Sequence, residues 1–584
     1  MYSMRRHTTS RRSLGSRCEG AGLAASVELG RSPFKRLIMS LTLELLKDFS
    51  PAGENLWSVG DAAASAHLTG VTVSREPLAT AVDGAVDALF LVGKFPDLQV
   101  HAGEAHLPAL TYLLRNIDPE KAGEEVSSLV ENEAGAQDGR MTLIGVYSLA
   151  NEDAPAYKVM YKAGATIVGT CKKYSKAVKS AHVIFCSSSI SASGACGFLE
   201  GIIHGGYKDT RFQAKKAISG TLPSGPVLSV MVGVPETASP ALKETFADAL
   251  TVALTGACGT VITKELVNAP PNVATPFQFA KVAELLAAKH ASLDLTVYDR
   301  EQCAAMKMGS YLSVAQGSAM PPYFIHLKYS HGTCATKIAF VGKTITMDTG
   351  GVNLKTGADS MIHLMKFDCG GGSAVLGAAD IIAKRALQNI EIHFVLPACE
   401  NAVDGNSYRP GDVILAMNNM SIEVVNTDAE GRLALADALA FADRLNPDYV
   451  VDIATLTGAA VIAMGPKYAA MLSNDQGLIK LLYSAGQSTG DFVWEMPLDR
   501  EYAEVLKSDI ADVKHTGQRA GGIMNAALFL EKFVQKGRKW AHLDIAPSAW
   551  DFKANVPTSF GAKLLAHFAE AAQAELESRN VSKS

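Results

Sequence analysis

Short apolar runs alternate along the chain with stretches whose apolar residues recur every three or four positions, the patterns of buried strands and amphipathic helices. Between residues 40 and 225, Ala88–Val92, Met141–Val146 and Ala181–Cys186 predict buried strands and Leu107–Asn116 a helix. The Ser- and Gly-rich stretch Ser187–Gly194 predicts a turn. A helix around Cys196–Ile203 follows and stops at His204-Gly205-Gly206. Ser219–Pro226 predicts a connection, Val227–Val234 a strand, and Pro240–Thr255 a helix with Glu244 and Asp248 on its polar face. From Gly256 the alternation continues to the C-terminus. The expected strands there are Leu295–Tyr298, Tyr323–Tyr329, Ile338–Val341, Thr344–Asp348, Glu391–Leu396, Ile422–Val425, Tyr449–Asp452 and Trp540–Asp544. The expected helices are Phe277–Lys289, Gly371–Lys384, Leu433–Arg444 and Gly521–Val534. This order predicts an α/β protein. A junction near 220–255 divides it into residues 40–225, a linker strand and helix over 226–255, and residues 256–584.

Composition narrows the class. With 48% hydrophobic and 19% charged residues in 584, the chain can bury sizeable cores. Net charge is −5. Seven Arg and one Lys against two Glu give residues 1–39 a balance of +6, so the remainder carries −11. That balance argues against a nucleic-acid partner. Residues 1–39 are Arg- and Ser-rich and lack an apolar h-region. They stand apart from the fold, either as an organelle-targeting segment or as an extension before a start at Met39. The nine Cys are odd in number and form no C-x-x-C, which favours free thiols and a cytoplasmic protein. No run of 18 apolar residues marks a membrane span, so no membrane partner is expected.

Several familiar motifs fail. Gly342-Lys343-Thr344 ends like a P-loop, but Lys337 stands where that loop needs Gly. Gly370-Gly371-Gly372 has Val375 in place of the third Gly of a dinucleotide loop. Neither G-x-S-x-G nor H-E-x-x-H occurs, and His363 is a lone histidine.

Three segments do carry a chemistry: Val341–Lys355, Leu364–Asp368 and Val425–Leu433. Ile345 and Met347 alternate with Thr344 and Thr346, so Asp348 ends a strand, and Gly350 and Gly351 allow a sharp turn. Asp428 and Glu430 follow the strand Ile422–Val425, and an extended backbone would point both side chains the same way. In open α/β sheets ligands bind beyond the carboxyl ends of strands, so Asp348, Asp368, Asp428 and Glu430 are candidates to converge there. Four carboxylates together repel and take up protons; two divalent cations would balance them. Oxygen-rich donors suit Zn2+, Mn2+, Mg2+ or Co2+. Such a pair, about 3.5–4 Å apart, makes a bridging water nucleophilic near neutral pH. Lys343, Lys355 and Arg432 are candidates to polarise a carbonyl or hold an anion. The spacing alone leaves a cation-paired structural cluster as the other reading.

The string Asn426-Thr-Asp-Ala-Glu-Gly-Arg-Leu433 resembles the signature octapeptide of the leucyl aminopeptidases, or cytosol aminopeptidases. Chance would produce it at roughly one position in 10^10. Leu266-Val-Asn-Ala-Pro-Pro-Asn272, Val314-Ala-Gln-Gly317 with Pro321-Pro322, Asp452-Ile-Ala-Thr-Leu-Thr-Gly458 and His542-Leu-Asp-Ile-Ala546 resemble further blocks of that family in its order. The likeness is strong over 256–575 and rests, before that, on Glu200-Gly201 through Tyr207.

The resemblance implies a smaller N-terminal α/β domain and a larger C-terminal α/β catalytic domain with a central mixed sheet flanked by helices. It implies a homohexamer that removes amino-terminal residues, leucine-like by preference, from peptides. It also implies two divalent metal ions per subunit, Zn2+, Mn2+ or Co2+. One would be held by Lys343, Asp348, Asp368 and Glu430, the other by Asp348, Asp428 and Glu430. Lys355 would stabilise the oxyanion, and Arg432 would hold a bicarbonate ion acting as general base. Met365, Thr455 and Gly458 would line the pocket for the first side chain, Leu456 would offer backbone contacts, and Asp368 would meet the substrate amine. As a ligand, Lys343 must be a neutral amine, with a pKa well below the ordinary value of about 10.4. Thr344, Met347 and Thr349 stand where the family has Gly, Phe and Ser, and Pro547 where it has Gly; Cys369 is expected to be buried and inert. A non-catalytic assembly or nucleic-acid-binding role, and a two-metal phosphohydrolase, are the alternatives.

Overall fold

The computed structural model describes residues 68–74, 88–94, 98, 113, 125–131, 141–149, 157–173, 180–186, 190–205, 209, 212, 228–233, 240–357 and 360–581. Residues 1–39, Ser219–Pro226, most of Leu107–Asn116 and part of Ser187–Gly194 lie outside the described residues.

A first sheet has six strands in the order Leu68–Ser74, Leu228–Gly233, Ser180–Phe185, Ala88–Lys94, Met141–Leu149 and Glu125–Glu131. Every pair is parallel except the last. The helices Tyr157–Lys173 and Ala192–Gly205 bury Ile167, Phe198 and Ile202 against Phe90 and Val183. The strand expected as a linker is thus a member of this sheet. The helix after it does not stop at Thr255 but runs as 29 residues, Pro240–Asn268. Its part Asp248–Asn268 is long and apolar enough to cross a membrane, yet 72% of the apolar window is buried inside the protein, as in a core helix.

A second sheet has nine strands. Eight lie in the order Val493–Glu495, Ala469–Ser473, Lys539–Asp544, Tyr449–Ala454, Thr336–Gly342, Ile390–Asn401, Tyr323–His331 and Leu293–Tyr298; the ninth, Thr344–Asp348, pairs with the far half of Ile390–Asn401. Its central strands are parallel and are joined antiparallel by Ala469–Ser473 on one side and Tyr323–His331 on the other, while the edge strand Val493–Glu495 pairs parallel with Ala469–Ser473. Both faces are covered, so these strands are apolar almost throughout. Ile338, Phe340, Ile392, Phe394, Val451 and Ile453 share a core with Gly370–Arg385 and Ala562–Val581. Ala339, Val341, Val395, Val450 and Ala454 share another with Glu430–Arg444 and Gly522–Glu531. Lys563 of the last helix meets Glu200 and Tyr157 of the helices on the first sheet, all three buried.

One break in the second sheet builds the site. Thr336–Gly342 and Thr344–Asp348 both run parallel to Ile390–Asn401, but residue 343 steps out of that ladder. Lys343 N donates instead to Ile453 O at 3.0 Å, and Lys343 O accepts from Gly372 N at 2.8 Å. The strand expected at Ile422–Val425 is Ser421–Glu423, and it belongs to a separate small sheet with Val413–Leu415 and Val513–Lys514.

Candidate active site

Asp348 ends its strand, and Gly350 and Gly351 follow with φ of +89° and +63°, a left-handed turn that glycine alone makes without strain. The turn brings Gly350 N back to donate to Asp348 Oδ1 at 2.9 Å. Asp368 lies near the end of the 3-10 helix Ile362–Cys369. Glu430 opens the helix Glu430–Arg444, and Asp428 sits in the 3-10 turn Thr427–Ala429 before it. The expectation of an extended Asp428–Glu430 stretch is therefore corrected. Asn426 Oδ1 accepts from Asp428 N at 2.9 Å, and this side-chain cap closes a turn where a strand continuation was expected.

The carboxylates converge nonetheless. Asp348, Asp368 and Glu430 are buried, and each offers an oxygen within 4.8 Å of the others. Lys343 Nζ lies 2.8 Å from Asp368 Oδ2 and 2.9 Å from Glu430 Oε1, and donates to Thr455 O at 2.9 Å. Lys355 Nζ lies 2.8 Å from Asp348 Oδ2 and 2.5 Å from Asp428 Oδ1. Asn401 Nδ2 donates to Asp348 Oδ1 at 2.8 Å and to Thr427 O at 2.9 Å, tying the first segment to the third. Gly431 makes the close approach possible: a Cβ there would lie 2.5 Å from Lys343 Cε.

Burial pushes the carboxyls of Asp348, Asp368 and Asp428 above the ordinary range, with neighbouring carboxylates adding to it and the lysines opposing. Burial would lower Lys343, but Asp368, Glu430 and Asp348 outweigh it and hold the ammonium above its ordinary value. Lys355 is held up in the same way by Asp348, Glu430 and Asp428. Among the protein's own groups, then, Lys343 is a counter-ion, the reverse of the neutral amine expected; neutrality requires another source of positive charge in the cage. The donors fit such a source. Buried Glu430 Oε2 has no hydrogen-bond partner, and Asp368 Oδ2 and Asp428 Oδ1 meet only lysine nitrogens. Acidic oxygens with one amine suit borderline divalent cations.

The other expected residues surround this cage. Thr455 Oγ1 donates to Asp368 Oδ1 at 2.8 Å. Met365 is half-buried against a small cluster of Val267, Phe367 and Trp550. Gly458 is exposed at the start of the helix Gly458–Met464. Leu456 N donates to Asp544 Oδ1 at 3.1 Å, so its amide is engaged and its carbonyl is the group left to offer a peptide. Arg432 is buried; its Nη1 donates to His515 O at 3.1 Å, while its Nε has no partner, a donor suited to an anion. Burial and Arg432 push His515 down to about 4. Thr349 Oγ1 donates to Asn401 O, so its hydroxyl is used despite the departure from Ser. Cys369 is buried and burial pushes its thiol up to about 12, which leaves it inert. His363 is exposed. Sequence reasoning missed Asn401, Thr427, His515 and Asp544. A polar residue ending a long apolar strand was a usable signal for Asn401; nothing marked His515.

The sequence pattern described as cytosol aminopeptidase family, catalytic domain, matches residues 261–566. Leucine aminopeptidase 2, chloroplastic, of Arabidopsis thaliana is 39% identical over 476 residues, 80% of this chain and 78% of the relative. The chain belongs to the cytosol aminopeptidase family. A probable cytosol aminopeptidase of Synechococcus sp. is 47% identical over 349 residues, 59% of this chain and 68% of that protein. A solved structure of a tomato leucine aminopeptidase mutant resembles this aminopeptidase with a TM-score of 0.74 at 29% identity, covering 85% of this chain and 96% of that one. The family match spans the whole cage, from Lys343 to Gly458.

Proposed function

We propose that this metalloaminopeptidase removes amino-terminal residues, leucine-like by preference, from peptides with two divalent ions. Lys343, Asp348, Asp368 and Glu430 would hold one; Asp348, Asp428 and Glu430 would hold the other. Zn2+, Mn2+ or Co2+ suits these donors. When bound, the ions polarise the scissile carbonyl and supply a nucleophilic water near neutral pH.

The chain's own residues do the rest. Lys355, 2.8 Å from Asp348, is the cation placed to stabilise an oxyanion. Asp368 accepts from the substrate's free amine, which confines cleavage to chain ends. Met365, Thr455 and Gly458 frame the first side chain; such an apolar pocket discriminates by about 1–3 kcal/mol per methylene, so the preference is broad. Leu456 orients the peptide through its carbonyl. Arg432 would hold a bicarbonate ion at its unpaired Nε.

A homohexamer is the expected assembly. The Arg- and Ser-rich residues 1–39 suit organelle targeting, with a cytoplasmic location as the alternative; amino-terminal sequencing of the mature protein separates them.

The observation that carries this reading is the buried, unpartnered Glu430 Oε2 inside a cage of three carboxylates. Leucine amide and a phosphomonoester, each assayed with and without a chelator, test it. Amide cleavage that the chelator removes and Zn2+, Mn2+ or Co2+ restores is expected. Phosphoester cleavage alone, or neither activity, overturns it.

A further inference from the structure

Asp544 ends the strand Lys539–Asp544, in register with Ala454 of the neighbouring strand. Its carboxylate is fully buried and accepts four bonds. Oδ1 accepts from Leu456 N at 3.1 Å, Thr457 N at 3.3 Å and Ala546 N at 3.2 Å. Oδ2 accepts from Thr457 Oγ1 at 2.6 Å. The segment these donors belong to has no ladder of its own. Thr457 is extended, at φ −131° and ψ 135°, and caps the helix Gly458–Met464 by accepting from Ala460 N. Without Asp544, the Leu456 and Thr457 amides would be left to seek other acceptors.

What that segment carries is the wall of the cage. Thr455 O accepts from Lys343 Nζ at 2.9 Å, and Thr455 Oγ1 donates to Asp368 Oδ1 at 2.8 Å. Two residues before Asp544, on the same face of its strand, His542 Nδ1 bonds Asp452 Oδ1 at 2.5 Å, and Trp540 Nε1 donates to Asp452 Oδ2 at 2.7 Å. Burial works against protonation of His542, but Asp452 and Asp544 outweigh it and raise its pKa above the ordinary value. Asp544 is therefore held in a built, fully buried setting, hydrogen-bonded to the segment that follows Thr455 and to none of the cage's carboxylates or lysines.

We propose that Asp544 is a positioning residue for the aminopeptidase reaction: by tying down the Leu456 and Thr457 amides and the Thr457 hydroxyl, it holds Thr455 against Lys343 and Asp368. This inference rests on the aminopeptidase reading above. It makes Thr455 the route by which Asp544 acts, and that route can be measured.

The test uses the metal-loaded enzyme with leucyl-4-nitroanilide and a double-mutant cycle of Asp544→Asn and Thr455→Val. Asp544→Asn keeps the shape but exchanges one acceptor oxygen for an NH2. It should lower kcat about 30- to 100-fold, with KM changed less than about threefold. In the Thr455→Val background it should cost less than about threefold, because the route is already gone. Equal fold-losses in both backgrounds, or an unchanged kcat, overturn the proposal. If Asp544→Asn does not fold, Thr457→Val keeps the Asp544 carboxylate and removes the hydroxyl that donates to it, together with that hydroxyl's cap on Ala460 N. It should show a smaller kcat loss that is again non-additive with Thr455→Val, and additivity overturns the proposal. Wild-type enzyme inactive on this substrate would sink the aminopeptidase reading and this proposal with it; an active wild type with additive variants sinks this proposal alone.

Discussion

Gly431→Ala probes the cage with a single methyl group. The new Cβ would lie 2.5 Å from Lys343 Cε, 2.6 Å from Nζ and 2.8 Å from Cδ. Ordinary carbon contacts begin near 3.5 Å, so the lysine tail must retreat by about 1 Å. Lys343 is 2% exposed and pinned by Asp368, Glu430 and Thr455 at 2.8, 2.9 and 2.9 Å, so the move opens those contacts past hydrogen-bond range. The helix itself does not suffer, since alanine is the better helix former by up to about 1 kcal/mol. A displacement of about 1 Å at a catalytic group costs about 10^2-fold. Steady-state kinetics on leucyl-4-nitroanilide, with metal content measured on the same sample, should show kcat/KM down by about that factor and less metal retained. The folded content by circular dichroism should be unchanged. A fully active alanine variant would refute the claim that Lys343 is fixed where catalysis needs it.

Asp348→Ala or Glu430→Ala should abolish turnover while leaving the oligomer intact by light scattering; full activity in either removes the dimetal mechanism. Lys355→Ala should slow turnover by about 10^2- to 10^3-fold, the usual cost of an oxyanion donor, and Arg432→Ala by less, because water can partly replace a bound anion; kinetics that reverse this order would count against both assignments. Away from the site, Asp380 is fully buried and meets Lys289 at 2.7 Å, Lys384 at 2.6 Å and His290 at 2.9 Å. Burial would raise its pKa, but His290, Lys384 and Lys289 hold the carboxyl well below the ordinary range. A depressed folded-state pKa gives stability that is complete above the unfolded value, about 3.9, and is lost as pH falls toward the folded one. Asp380→Asn should therefore cost about 1.5–3 kcal/mol at pH 7 by removing the carboxylate that half-buried Lys289 and Lys384 share, and its Tm should fall less than the wild type's between pH 6 and pH 3. Parallel Tm curves would contradict this.

The strand Thr344–Asp348 was legible residue for residue, because its alternation ends on a charged residue followed by two glycines. The helices Gly370–Arg385 and Glu430–Arg444 were found within three residues of their ends. The helix Pro240–Asn268 was cut short because Thr255-Gly256 and Gly259 look like a stop. Tertiary packing overrides that signal: a Cβ at Gly259 would lie 2.2 Å from Gly377 O, so this glycine serves helix–helix contact. The helices Tyr157–Lys173, Gln476–Thr489 and Ala562–Val581 were not anticipated at all. In the site, the ligand types and their order could be read from the three segments. The step of Lys343 out of its ladder could not, because it depends on a hydrogen bond to Ile453 more than a hundred residues away. Asp544 was hidden for the same reason: its partners are Leu456 and Thr457, and no local pattern links them.

The most direct measurement is anomalous diffraction from crystals of the full chain grown with Mn2+ or Zn2+. The account predicts two peaks about 3.5–4 Å apart, one against Asp368 and Lys343, the other against Asp428, both touching Asp348 and Glu430. Peaks elsewhere, or none at these carboxylates while Lys343 still bridges Asp368 and Glu430, would contradict it.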